Sequence, residues 1–200
     1  MKIPLEPNKC YHIYNHANGS ENLFVKKENY YYFLKKYAYY INPIADTFAY
    51  CLMPNHIHFA IRIKSEKELL KLPSFQKNRT TKSLSSNISQ QFSNLFNSYS
   101  KAFNKQQNRK GSLFMQNFKR KHIHNDAYFK QIIHYIHFNP VHHGFVKDLR
   151  EWKYSSFSAF FSTKPTKLAR KEVVEWFDNK EEFWEYHQTE INGKLAFELE

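Results

Sequence analysis

The residues best suited to chemistry in this 200-residue chain are two histidines one residue apart, His56 and His58. They open the run HIHFAIRI (56–63), whose apolar alternation predicts a strand. Side chains alternate faces in a strand, so Ile57, Phe59, Ile61 and Ile63 point one way and His56, His58, Ala60 and Arg62 the other. The two imidazoles then share a face, where their ring nitrogens can converge on one divalent cation while the apolar face anchors the strand in a core. Two histidines on a solvated strand face fit the same spacing. The rest of the chain must decide between the two.

The elements that would position this pair can be read in order. Residues 9–16 (KCYHIYNH) read as a strand, followed by a turn ending at Ser20. A helix follows, with Tyr30, Phe33, Leu34, Tyr37 and Ile41 on one apolar face until Asn42-Pro43 stops it. DTFAYCLM (46–53) is a strand joined to 56–63 through Pro54-Asn55, a pairing that suits a hairpin. Residues 64–82, rich in Lys, Ser and Thr, read as a mobile surface loop. A long helix starts near Ser83 and runs to about Lys105, with Ile88, Phe92, Leu95, Phe96, Tyr99 and Phe103 as its stripe. A basic loop follows it, and 112–123 read as a further strand. A helix over 126–139, capped by Asn125 or Asp126, is expected to end at Asn139-Pro140. The order β-α-β-β-α-β-α predicts an α+β fold: an antiparallel sheet with helices packed on one face, of the ferredoxin-like or RRM-like kind. Residues 1–162 would form the domain and 163–200 an acidic, partly helical appendage. The chain shows no internal repeat and no GxxxxGK(S/T) or GxGxxG loop.

The net charge of +12 is unevenly spread. Residues 171–200 hold nine acids against three lysines, leaving 27 Lys/Arg against nine acids before them. Such a basic body, with 18% aromatic residues, attracts polyphosphates by counterion release and offers rings on which bases stack. No segment approaches the ~20 apolar residues of a membrane span, and the N-terminus lacks a secretory apolar region. No membrane association and a cytoplasmic location are therefore expected. Cys10 and Cys51 lack metal or disulfide spacing and read as buried thiols.

Met53-Pro54-Asn55-His56-Ile57-His58 resembles the His-hydrophobic-His motif of HUH endonucleases in the form it takes in single-tyrosine transposases of the insertion-sequence-200-like superfamily. YHIYNHANGSENLF (11–24), GSLFMQNFK (111–119), YIHFNPVHHGFV (135–146) and WKYSSF (152–157) resemble, in the same order, segments of REP-associated tyrosine transposases. Together they cover roughly residues 9–160. The resemblance implies that Tyr135 is the nucleophile and that Asn139, one turn later, joins His56 and His58 in holding Mg²⁺ or Mn²⁺. Relatives in the wider superfamily carry glutamine where this chain has Asn139. From the residues alone, Tyr135 is one of fourteen tyrosines packing a core, and Asn139 a helix stop. Yet Tyr128, Ile132, Tyr135 and Asn139 stand at i, i+4, i+7 and i+11, so the phenol and the amide share a helical stripe. Tyr128 and Tyr99 rank below Tyr135 as nucleophiles. His134 and His137 point away from Tyr135 around the helix and are expected to meet solvent or phosphate.

The implied activity is cleavage of single-stranded DNA beside hairpins through a 5′-phosphotyrosine, followed by strand transfer. A phenol with an ordinary pKa near 10 is a weak nucleophile at neutral pH, so the metal would have to polarise the phosphate. Lys105, Arg109, Lys110, Lys119, Arg120 and Lys121 are the candidates for DNA backbone contact. The resemblance leaves both a homodimer and a monomer open. The rival reading is a non-catalytic single-stranded DNA or RNA hairpin-binding protein derived from a transposase. The acidic C-terminus would cover the basic groove or pack as helix.

Overall fold

The computed structural model describes residues 3–76, 83–189 and 191. Four strands, β1 (Cys10–His16), β2 (Ala45–Leu52), β3 (His56–Ile63) and β4 (Lys119–Ile123), form one sheet in the order β2-β3-β1-β4, every neighbouring pair antiparallel. Two crossovers link them. Helix α1 (Lys27–Tyr40) joins β1 to β2; two short helices, α2 (Glu66–Leu69) and α3 (Pro73–Gln76), precede the long α4 (Leu84–Gln106), which leads to β4. This is the β-α-β-β-α-β frame of a ferredoxin-like fold.

The expected packing of the helices on one face holds for the two crossover helices and not for the helix after β4, which takes the other face because β2 and β3 present apolar side chains there too. On the crossover face Tyr11, Ile13, Ile57, Phe59, Ile61 and Ile63 share a core with Phe33 and Tyr37 of α1 and Ile88, Phe92, Leu95 and Tyr99 of α4. The opposite face is covered by α5 (Asp126–His142), which follows β4 and packs Phe129, Ile132, Ile133, Tyr135 and Ile136 over Phe48, Ala49, Cys51 and Ala60. A register shift between Thr47 and Ala49 adjusts the edge strand to both layers. Thr47 bonds the Tyr37 hydroxyl on the α1 side, while the Phe48 ring stands edge-on to Phe129 of α5. The layer over α5 is completed by α6 (Arg170–Trp176) and α7 (Lys180–Gln188), whose Val173, Phe177 and Phe183 are buried in the same core. Packing thus runs across residue 162, and Arg62 of β3 ties Asp46 to Glu172 of α6.

Three local readings are corrected. The segment 64–76 is not irregular: Ser65 accepts from the Glu68 N–H while the Glu68 carboxylate accepts from Ser65, a capping box that starts α2. Residues 77–82 of that loop lie outside the described residues. The strand over 112–123 shrinks to Lys119–Ile123, because Gly111 and Asn117 take positive φ (90° and 63°) and break extension before it. Helix α5 does not stop at Asn139. It runs through Pro140 to His142 and ends where Gly144, at φ 70°, lets the Phe145 N–H reach Pro140 O. Among the described residues, no helix is long and apolar enough to cross a membrane.

Candidate active site

The site forms where one end of the sheet meets α5. His56 and His58 begin β3, and the Met53 N–H to His56 O bond closes the hairpin that aims them. Alternation puts both on the α5 face, as the sequence predicts, but the face is covered rather than solvated: His56 is 3% exposed, and His58, Tyr135 and Asn139 are 0% exposed. Asn139 of α5 bridges the pair. Its Oδ1 lies 2.7 Å from His56 Nε2 and its Nδ2 lies 3.5 Å from His58 Nε2. One turn earlier, the Tyr135 ring stands edge-on to His58, centroids 5.5 Å apart. Residues 56, 58, 135 and 139 are therefore one contiguous cluster. Tyr99 is on the other side of the sheet, where its hydroxyl donates to Leu23 O, and Tyr128 stacks on His124 instead.

Strand β1 adds groups that were not singled out in the sequence. His16 lies opposite His56 and Tyr14 opposite His58, with ring centroids 5.0 and 5.8 Å apart. His12, fully buried, brings Nε2 to 2.9 Å from His58 Nδ1 and its ring to 6.1 Å from that of Tyr135. From the hairpin, Asn55 Oδ1 meets His56 Nδ1 at 2.8 Å. From the end of α5, the His143 ring reaches 4.9 Å from His56. The signal was present in YHIYNH, whose alternation gives His12, Tyr14 and His16 one face, but only the strand order shows that this face joins that of β3.

Burial sets the electrostatics. It holds the His58 imidazole well below its ordinary pKa, with neighbouring His56 and His12 adding to the effect. It pushes His12 down to about 3, with Lys121 contributing. Both rings are neutral at pH 7, the form in which imidazole ligates metals. Amide oxygens face both ring nitrogens of His56, Asn55 Oδ1 at Nδ1 and Asn139 Oδ1 at Nε2, and each can only accept from the imidazole. Among the described residues, no cluster of three or more His, Cys, Asp or Glu has metal-holding geometry; any ion here would take two imidazoles and an amide.

His134 and His137 do not meet solvent, contrary to expectation. They are 3% and 0% exposed and face α7. His137 Nδ1 lies 2.9 Å from His187 Nε2, its Nε2 lies 2.8 Å from Ser156 Oγ, and the His187 Nδ1–H donates to Phe183 O. Burial lowers His134 to about 4 and His137 to about 3, and holds His187 well below the usual histidine value. This second cluster fastens α5 to the C-terminal helices.

The basic candidates fall into two groups. Lys119, Arg120 and Lys121 are on the edge strand β4. Lys121 pairs with His12 across β1 and stands over the Tyr14 ring, while Arg120 faces α4 and donates to Ser89 Oγ. Lys105, Arg109 and Lys110 belong to the end of α4 and the turn after it. The Arg109 guanidinium already bonds Glu21, Asn104 and Ser112 O, which braces that turn; Lys105 and Lys110 are exposed.

The chain is thus an α+β protein in which a four-stranded antiparallel sheet carries paired histidines under a tyrosine-bearing helix. No family model matches it. Over 113 residues it is 30% identical to the Haemophilus influenzae (strain ATCC 51907 / DSM 11121 / KW20 / Rd) protein named "Putative REP-associated tyrosine transposase", a match covering 56% of this chain and 58% of that relative. The chain thus matches little more than half the length of that relative. A solved structure described as the REP-associated tyrosine transposase bound to a REP hairpin superposes with a TM-score of 0.57, covering 84% of this chain and 90% of that one at 16% identity. That likeness concerns the fold. In sequence and in fold, then, the chain is similar to REP-associated tyrosine transposases.

Proposed function

We propose that the chain is a transposase-like single-stranded DNA endonuclease and strand transferase that cleaves beside DNA hairpins. The observation that supports this most is the meeting of one phenol, one amide and two imidazoles in a single cluster, with Tyr135 against His58 and Asn139 bridging His56 and His58. Tyr135 is the nucleophile. Its oxygen attacks the scissile phosphorus, the new O–P bond forming as the bond to the 3′-oxygen breaks. The phenol gives its proton to solvent and the departing 3′-oxygen takes one up. The products are a 5′-phosphotyrosine and a free 3′-hydroxyl. Attack by another 3′-hydroxyl reverses the step and joins strands, with no nucleotide cofactor, because the phosphotyrosine keeps the energy of the phosphodiester.

His56, His58 and Asn139 suit a divalent ion, Mg²⁺ or Mn²⁺. Two imidazole nitrogens and one amide oxygen converge here, His56 Nε2 and Asn139 Oδ1 being 2.7 Å apart, and these are donor atoms that divalent ions accept. When bound, such an ion withdraws charge from a non-bridging phosphate oxygen. The protein's own part is positioning: His12 fixes the His58 ring through Nδ1, and Asn55 does the same for His56. Lys119, Arg120 and Lys121, together with Lys105, Arg109 and Lys110, are the proposed backbone contacts.

The test is a labelled single-stranded DNA hairpin with an unpaired flank, incubated with the protein and Mn²⁺ and resolved under denaturing conditions. The wild-type chain should give a covalent adduct. Tyr135→Phe should give none, while Tyr14→Phe and Tyr99→Phe keep it. An adduct surviving in Tyr135→Phe would move the nucleophile elsewhere. The full burial of Tyr135, His58 and Asn139 favours a second reading, a hairpin-binding protein derived from a transposase that no longer cleaves, because a phosphate reaches the phenol only after the groups packed on it move aside. Tight hairpin binding without any adduct would select that reading.

A further inference from the structure

The rings of Trp152 and Tyr154 in the WKYSSF segment and of Phe145 in the turn after α5 take no part in the clusters above, yet they line up. Phe145, Trp152, Tyr154 and Tyr31 form a row with successive centroids 5.7, 5.8 and 6.4 Å apart. The row begins two residues beyond His143, whose ring touches His56. It rounds the β2 edge of the sheet, since Trp152 packs against the α5-side core and Tyr154 against the α1-side core.

The middle of the row is fixed and its ends are open. Trp152 Nε1–H donates to Leu52 O, and the Leu52 N–H donates to Tyr154 O, which ties the segment to the sheet edge. The Tyr154 ring stacks on Tyr30 at 3.6 Å, with planes 7° apart. Phe145 is 48% exposed and Tyr31 64% exposed, so neither ring gains full burial from the fold. Lys27 and Lys35 flank Tyr31 by one helical turn on α1, and Lys147 and Lys153 flank the other rings in sequence; all four are exposed, against the acids Glu28, Glu151 and Asp148, the last of which is paired with Arg150. Neighbouring ring planes tilt by 54° to 81°. Bases stacked at the ~3.4 Å rise of a duplex strand cannot follow such rings, whereas the splayed bases of an unpaired strand can stack on them singly.

We propose that this row is a binding track for unpaired DNA leading away from the His56 end of the site, a proposal that rests on the function proposed above. Each open ring holds a base by stacking, and the lysines hold phosphates. The experiment is fluorescence anisotropy of the full chain at fixed salt, using a labelled oligothymidylate and a labelled blunt duplex of equal length. Phe145→Ala and Tyr31→Ala should each weaken oligothymidylate binding about fivefold or more, and together more than either alone. Duplex binding should not change. Tyr39→Ala, which removes a 72% exposed ring off the row, should change neither. Wild-type binding that survives intact in the Phe145→Ala and Tyr31→Ala variants overturns the track and leaves the proposed function standing. A wild-type chain that binds no unpaired DNA overturns both.

Discussion

The buried histidines of the second cluster make stability depend steeply on pH. His134, His137 and His187 are held neutral in the fold, the first two with pKa lowered to about 4 and about 3. In the unfolded chain each returns to about 6.5. A group whose folded pKa is depressed in this way takes up its proton on unfolding, so its stabilising contribution is complete above the unfolded pKa and is lost as pH falls below it. Between pH 7.5 and 5.5 each histidine should cost about 1.4 kcal/mol, and the three together about 4 kcal/mol. That is a large part of the 5–15 kcal/mol typical of a whole domain, roughly stated. The assay is urea unfolding followed by circular dichroism at pH 7.5, 6.5 and 5.5. His134→Phe isolates one histidine's share, since His12 and His58 add their own to the slope of the whole chain. His134 Nε2 has no hydrogen-bond partner, and Phe138, Tyr186 and His187 surround the ring, so the substitution should cost little at pH 7.5 and flatten the dependence by about 1.4 kcal/mol. A wild-type chain losing under about 1 kcal/mol over this range, or a variant with an unchanged slope, would refute the reasoning.

Three further outcomes are expected. His12→Phe should keep the fold but weaken Mn²⁺ binding about 10- to 100-fold by calorimetry, because His58 loses the group that orients it. Truncation before Arg170 should lower the unfolding midpoint sharply rather than merely expose a groove, since it removes buried Val173, Phe177, Phe183 and His187 from around α5; a truncated chain as stable as the full one would contradict this. Gly144→Ala should cost about 1 kcal/mol in urea unfolding. A Cβ there meets nothing within 4 Å, so the cost comes from the positive φ alone.

Much of the candidate site's geometry is legible in the sequence because it depends on short-range periodicity. The alternation in HIHFAIRI and the i, i+4 relation of Tyr135 to Asn139 each follow from one element's geometry. The start of α4 was equally plain, with Ser83 accepting from the Ser86 N–H. The misreadings share a different cause. Proline at 140 normally ends the helix before it, but here α5 is held between the sheet and α7, and packing outweighs the local preference. His134 and His137 read as solvated because His187, which packs against both, lies about 50 residues further along the chain, and neither segment alone points to the other. His12 was overlooked because its partner lies 46 residues away, on a strand whose neighbour cannot be read from either segment alone.

Proline 140 gives α5 a mechanical property. Without an N–H it cannot bond Ile136 O, so the turn carrying both the phenol and the amide lacks one rung of its ladder. A rod with a missing rung bends there first. The enclosed phenol stands just before that missing rung and the amide that spans the imidazoles stands within it, so a bend at this point would alter the spacing of the two.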